Sequence, residues 1–155
     1  MLTTSEVKLR EFRVEDSKDI VRLHYESKDA FEAFPIDEDT IINIAKREDF
    51  LFIVAEINNK VVGFVGALFQ RYFRRAEIGP ICISKPWRRK GIGTLLINEI
   101  MRRLKIVGIV RVISRVKSNN LAAINFFKKN GFVEEGFFKK YTRDGEDVIQ
   151  FVKFI

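Results

Sequence analysis

Apolar and polar positions alternate, with one slip, through Val7, Leu9, Phe12 and Val14, so residues 7–14 are predicted to form a first strand. The period then lengthens. Behind Glu15-Asp16, the residues Ile20, Val21, Leu23 and His24 recur at helical spacing, and Asp16 is the expected N-cap. A break at Phe31-Glu32-Ala33-Phe34-Pro35 precedes a short helix over 37–47 whose face carries Ile41, Ile42, Ile44 and Ala45. Two β-rich runs, 50–57 and 61–69, flank Asn58-Asn59-Lys60 and read as a hairpin closed by a tight turn. A strand over 75–84, an amphipathic helix over 93–106 and a strand over 109–116 follow. Asn119 or Asn120 opens a further helix that stops at Asn130-Gly131, and residues 132–154 read as a second hairpin around Arg143-Asp144-Gly145. The order β-α-α-β-β-β-α-β-α-β-β describes an α/β (α+β) chain. Periodicity alone does not order the strands within a sheet.

Composition narrows the class. A chain of 155 residues with 46% hydrophobic and 32% charged positions suits one soluble domain over 1–155, and its 15 phenylalanines point to an aromatic-rich core. No Pro/Gly/Ser linker or low-complexity run divides it, and the Phe-Phe-Lys-Lys at 126–129 and 137–140 falls once on a helix and once on a strand, so it is not a repeat. The single cysteine, Cys82, excludes an internal disulfide and points to a reducing cytosol. No run approaches the roughly 18 apolar residues of a membrane span, and the opening MLTTSEVKLR lacks the apolar core of a signal peptide. A cytoplasmic protein is the expectation. The net charge of +7 fits a solvated basic surface, a polyanionic cofactor, or acidic partners such as ribosomes. Nucleic-acid binding alone is the weaker alternative, because lysine and arginine are spread along the chain without a recognition motif. His24, the only histidine, has no metal-ligand spacing and is expected on the flank of the first helix; no metal site is indicated.

The chemistry concentrates in EIGPICISKPWRRKGIGT, residues 77–94. A hydrophobic strand runs into Arg88-Arg89-Lys90-Gly91-Ile92-Gly93, and a helix follows at once. Glycines at 91 and 93 remove Cβ where a ligand could approach the backbone. The helix start offers unpaired N–H groups and a positive dipole end, and three cations flank it, which together make a cradle for pyrophosphate. This stretch resembles the acetyl-CoA site of the Gcn5-related N-acetyltransferase (GNAT) superfamily, whose signature Arg/Gln-x-x-Gly-x-Gly/Ala is matched by Arg88, Gly91 and Gly93. A later family motif, Asn-x-x-Ala-x-x-x-Tyr-x-x-x-Gly-Phe, is matched at Asn120, Ala123, Gly131 and Phe132. The resemblance covers nearly the whole chain. It implies a mixed, mostly antiparallel seven-stranded sheet flanked by about four helices, with acetyl-CoA as co-substrate. It also implies that Ile81, Cys82 and Ile83 pair with the pantetheine arm, and that Arg88, Arg89, Lys90, Gly91, Ile92, Gly93 and Thr94 meet the pyrophosphate. Asn120 and Phe127 complete the implied set. Proline cannot donate in a ladder, so Gly79-Pro80 is expected to break the strand just upstream.

Acetyl transfer needs a neutral amine, and an alkylamine with a pKa of ~10 arrives protonated at neutral pH. A base, or a water path to one, must take that proton. Glu77 stands six residues before Ile83, the spacing at which the lysine-acetyltransferase branch places a glutamate base before a similar Ile-Ser. The alternatives are an exposed strand-end carboxylate or an ion pair with Arg74 or Arg75. Many members carry a tyrosine that protonates the departing thiolate, where this chain has Phe127; Tyr141 could substitute if the tail hairpin folds over the site. Cys82 reads as buried filler rather than a nucleophile.

Tyr141-Thr142-Arg143-Asp144-Gly145-Glu146-Asp147-Val148 resembles the Tyr-Tyr-x-x-Gly-Glu-Asp-Ala segment of protein N-terminal acetyltransferases, although Asp-Gly also suits a plain turn. Bacterial ribosomal-protein acetyltransferases carry a glutamate five residues before the family asparagine, and Arg115 occupies that place here. The resemblance implies an N-acetyltransferase acting on a protein or peptide N-terminus or a lysine. The alternatives are a small-molecule amine acceptor (polyamine or amino sugar) and an acetyl-CoA-binding docking module without turnover. The resemblance also makes a homodimer an open expectation.

Overall fold

A computed structural model describes residues 6–31 and 34–155. Its strands are β1 (Lys8–Glu11), β2 (Phe50–Ile57), β3 (Lys60–Gln70), β4 (Arg75–Ile83), β5 (Arg111–Lys117), β6 (Val133–Phe138) and β7 (Val148–Phe154). Its helices are α1 (Ser17–Glu26), α2 (Glu38–Ala45), α3 (Ile92–Ile106) and α4 (Leu121–Lys129). The strands form one sheet in the order β1-β2-β3-β4-β5-β7-β6, antiparallel throughout except for the β4–β5 pair. Helix α3 supplies the crossover that a parallel pair needs. This is the architecture and element order expected from the sequence. No helix of the described residues is long and apolar enough to cross a membrane.

The β2–β3 turn is tighter than expected. Asn58 and Asn59 both take positive φ, 50° and 64°, as a two-residue hairpin turn demands, and Lys60 already belongs to β3. The first strand is shorter than 7–14 because a 3₁₀ turn occupies Val14–Asp16. Asp16 stands at the N-cap of α1 but does not cap it with its side chain. Its carboxylate instead accepts from Arg10 Nη1 and Nη2 at 2.8 and 2.9 Å and from the Arg13 N–H at 2.7 Å.

Burial pushes the Asp16 carboxyl up, but hydrogen bonds from Arg10 and from the Arg13 N–H outweigh it and hold the group below the usual carboxylate range. A folded-state pKa below the unfolded value adds stability above that value, and the contribution disappears as pH falls through the folded pKa. Asp16→Asn should therefore cost about 1–3 kcal/mol in urea unfolding at neutral pH, and the gap to the wild type should close in acid.

Two apolar layers sandwich the sheet. One joins α3 and α4 to Val65, Ala67, Ala76, Ile78, Val112 and Phe151, and the other joins α1 and α2 to Phe52, Val54, Phe64 and Cys82. Strand β4 changes its allegiance midway. Ala76 and Ile78 face the α3/α4 layer, but so do Ile81 and Ile83, while Cys82 faces α1/α2. The switch of parity comes from an irregularity opposite Gly66: Ala67 pairs with Ile78, whereas Val65 pairs with Ile81. One extra residue on a strand flips every side chain beyond it. Glu77 therefore lies on the α1/α2 face, opposite to Ile83, and not on the same face as an even six-residue spacing implies.

His24 corrects another expectation. It is 2% exposed, packed against Tyr25, Phe31 and Phe34, and its Nε2 has no partner among the described residues. Of the break expected at 31–35, Glu32 and Ala33 lie outside the described residues. The tail does form a hairpin, but residues 139–147 bridge it as a structured loop. Tyr141 N–H donates to the Glu146 carbonyl at 2.8 Å, and the buried Thr142 hydroxyl accepts from Glu146 N–H at 2.9 Å.

Candidate active site

The site begins where two strands part. β4 and β5 pair only from Arg75–Ile78 to Arg111–Ser114; beyond that, β4 stays on β3 and β5 stays on β7. The parting falls at Gly79-Pro80, where proline supplies no N–H. The splay opens a cleft of about 720 Å³ whose walls are Ile81, Cys82 and Ile83 of β4, the turn before α3, and the start of α4. Arg88, Arg89, Gly91, Ile92, Gly93, Thr94, Asn120 and Phe127 all line it. Of the residues implied for the cofactor, Lys90 alone is not in the lining; it is exposed on the turn.

Local geometry explains the turn. Gly91 is the N-cap of α3 at φ 87°, a left-handed conformation that side chains disfavour, and a Cβ there would meet nothing within 4 Å. Gly93 carries a packing constraint that the sequence did not show. A Cβ at Gly93 would lie 2.9 Å from the Phe126 ring, so its absence lets α4 approach α3. Leu95 is the first residue of the helix whose N–H finds an acceptor, the Gly91 carbonyl at 3.1 Å. The N–H groups of Ile92, Gly93 and Thr94 have none among the described residues. Three free donors and the positive end of a 15-residue helix converge on the cleft.

Arg88 serves the frame of this turn. Its Nε donates to the Ile83 carbonyl at 2.8 Å and its Nη2 to Ser27 Oγ at 3.2 Å, joining the end of β4 to the end of α1. Lys85, Arg89 and Lys129 also line the cleft, against Glu26 and Asp29. With Arg88, four cations face two carboxylates, and one of these, Glu26, already accepts from the Lys85 N–H at 2.7 Å. The field in the cleft favours an anion. Sequence reasoning missed Glu26, Ser27, Asp29 and Ala30, which come from the end of α1 and the segment after it, and it gave no role to Lys85, Trp87, Phe126 and Lys129 within the two blocks that it did single out.

Asn120 caps α4 by accepting from Ala123 N–H at 3.1 Å, and its Nδ2 donates to the Ala30 carbonyl at 3.0 Å. Phe127 is 4% exposed and closes the cleft floor against Phe126, Phe132 and Phe151. Cys82 is buried, and burial pushes its thiol up to about 12. Its thiolate population at pH 8 is negligible, so alkylation by iodoacetamide should run at least 100-fold slower than for free cysteine, whose pKa is ~8.5. Mass spectrometry of a time course checks this.

A second hollow, of about 210 Å³, is lined by Phe31, Glu77, Arg115, Lys117, Tyr141, Thr142 and Val148. Both oxygens of Glu77 lie 3.0 Å from Arg115 Nη1. The ion pair is therefore with Arg115, a cross-strand neighbour, and not with Arg74 or Arg75, which bond to the Gly108 carbonyl and to Gln70. The Tyr141 ring lies 5.6 Å from the Arg115 guanidinium, so the tail loop reaches the hollow that Glu77 lines, but Tyr141 does not line the larger cleft. The segment after α1 borders both hollows. Ser27, Asp29 and Ala30 line the larger and Phe31 the smaller, and Lys117 Nζ donates to the Asp29 carbonyl at 3.4 Å.

Residues 17–132 match the profile of the Acetyltransferase (GNAT) family. An N-alpha-acetyltransferase of Sulfurisphaera tokodaii is 31% identical over 113 residues, 66% of this chain and 68% of that one. The L-amino acid N-acetyltransferase AaaT of Escherichia coli is 32% identical over 109 residues, 68% and 67% of the two chains. The spermidine N-acetyltransferase of Vibrio cholerae, solved in complex with CoA and spermine, superposes with a TM-score of 0.84 over 97% of this chain and 96% of that one, at 21% identity. At that identity the superposition speaks for the fold alone.

Proposed function

The chain belongs to the GNAT family of N-acetyltransferases, and from that premise we propose that it moves an acetyl group from acetyl-CoA, bound in the cleft between β4 and β5, to a primary amine entering from the Glu77 hollow. The observation that carries this reading is the splay itself. It frees the β4 backbone from Gly79 onward on the β5 side, beside a helix start with three N–H groups unpaired among the described residues. Acetyl-CoA supplies an amide-bearing arm and a pyrophosphate, and the cleft offers a counterpart to both. The open edge at Ile81, Cys82 and Ile83 suits the arm, and the N–H groups of Ile92, Gly93 and Thr94 with Arg89 suit the pyrophosphate.

Glu77 is proposed to take the proton from the ammonium, directly or through water, so that the nitrogen lone pair can attack the acetyl carbon. A new C–N bond forms as the C–S bond breaks, and the thiolate leaves. With a thiol pKa of ~8.5, departure needs little acid help. Phe127 offers none, and water or the Tyr141 hydroxyl is the proton source. An α-amine at a peptide N-terminus is the favoured acceptor, consistent with the names of the N-alpha-acetyltransferase relatives; the spermidine enzyme represents the small-amine alternative. Free-thiol release from acetyl-CoA, with N-terminal peptides, lysine peptides, amino acids, polyamines and aminoglycosides as acceptors, tests the reading. Turnover on one class supports it. Acetyl-CoA binding without turnover on any class contradicts it and leaves a docking module.

A further inference from the structure

The smaller hollow says more about the acceptor than its entrance. Building on the acetyltransferase reading, we propose that this acceptor is an amine bearing a carboxylate a few bonds away, with the amine at Glu77 and the carboxylate at Arg115. The hollow, of about 210 Å³, presents two cations, Arg115 and Lys117, and one carboxylate, Glu77. The cations differ in availability. Lys117 Nζ is already paired with Glu146 at 3.2 Å and with the Asp29 carbonyl. Arg115 is fixed on several sides while keeping a donor in hand: Nε donates to Gln150 Oε1 at 3.1 Å, Nη1 to Glu77, and the Tyr141 ring lies beneath. Its Nη2 has no partner among the described residues. A guanidinium held in place with Nη2 still free suits a carboxylate, because it offers a fixed positive charge and an unspent donor at one point.

Arg115 Nη1 touches both oxygens of Glu77, so a ligand that meets the two side chains places its amine and its anion side by side. That is the arrangement in an α- or β-amino acid, and equally in a peptide whose N-terminal residue is aspartate or glutamate. Phe31 and Val148 supply an apolar wall for the remainder. A polyamine, by contrast, would bring further positive charge against Arg115 and Lys117, and like charges at contact are unfavourable.

The test compares matched acceptors at fixed acetyl-CoA with the full-length protein: leucine against leucinamide, and an Asp-initiated hexapeptide against its Asn-initiated twin. The carboxylate member of at least one pair should show a kcat/KM at least tenfold higher, carried mainly by KM. Arg115→Gln should collapse that ratio to near one, and Arg115→Lys should restore part of it. The ratio within each variant is the readout, because a general disturbance of Glu77 lowers both members together. The pair that shows the preference distinguishes a free amino acid from an acidic N-terminus. Equal kcat/KM within both pairs, or a preference that survives Arg115→Gln, overturns the proposal while leaving the acetyltransferase reading intact. Absence of turnover on every acceptor overturns that reading, and this proposal with it.

Discussion

Gly91→Glu should abolish measurable acetyl-CoA binding, raising Kd at least 100-fold, while the protein stays folded. Two effects combine at this position. Its φ of 87° admits a side chain only at a backbone cost of roughly 1–2 kcal/mol, and a carboxylate would sit where three free N–H groups and the α3 dipole await an anion. The Cβ itself meets nothing within 4 Å, so no core contact is displaced. Gly91→Ala separates the two effects, because it carries the conformational strain without the charge and should weaken binding by no more than about tenfold, about 1.4 kcal/mol. Isothermal titration and thermal unfolding of both variants check this. A Gly91→Glu protein that binds as tightly as the wild type would remove the pyrophosphate from this turn.

The second large effect is expected at Glu77. If its carboxylate takes the amine proton, Glu77→Gln lowers kcat by about 10²-fold or more, within the range for general-base catalysis, and leaves the acetyl-CoA Kd within twofold. The competing role is structural, since both oxygens sit on one nitrogen of Arg115. The isosteric amide discriminates: glutamine keeps an oxygen for that guanidinium but cannot accept the proton. Single-turnover rates with saturating acetyl-CoA read the chemical step directly, and an unchanged rate would assign Glu77 to holding Arg115 alone.

The parts of this fold that rest on short-range chemistry were legible in the sequence. Asn58 and Asn59 marked a turn because asparagine tolerates positive φ, and Asn120 marked a helix start because its side chain can accept from the backbone three residues on. The cleft walls followed from the strand–turn–helix pattern at 77–94 and the block at 120–132. What escaped depended on register or on tertiary packing. The irregularity at Gly79-Pro80 was expected, but its consequence for parity, which puts Glu77 on the face of Cys82 and opposite to Ile83, does not follow from residue spacing alone. Arg115 stood out only as a departure from a motif. Its partnership with Glu77 requires knowing that β4 and β5 are parallel neighbours, with Glu77 opposite Ile113. Gly93 had a reading that was chemically sound but incomplete, because the atom that needs the space belongs to Phe126 on another helix. His24 and Asp16 were assigned to a flank and a cap by position, whereas packing buries the first and Arg10 claims the second.

The central claim is that acetyl-CoA occupies the opening between β4 and β5 with its phosphates at the start of α3. Hydrogen–deuterium exchange of the protein with and without saturating acetyl-CoA, resolved to single amides by NMR, tests it most directly. The account predicts new protection concentrated at Ile92, Gly93 and Thr94 and along Ile81, Cys82 and Ile83, with the β6–β7 hairpin unchanged. Saturable binding with no added protection at those amides, or with protection confined to another surface, would contradict it.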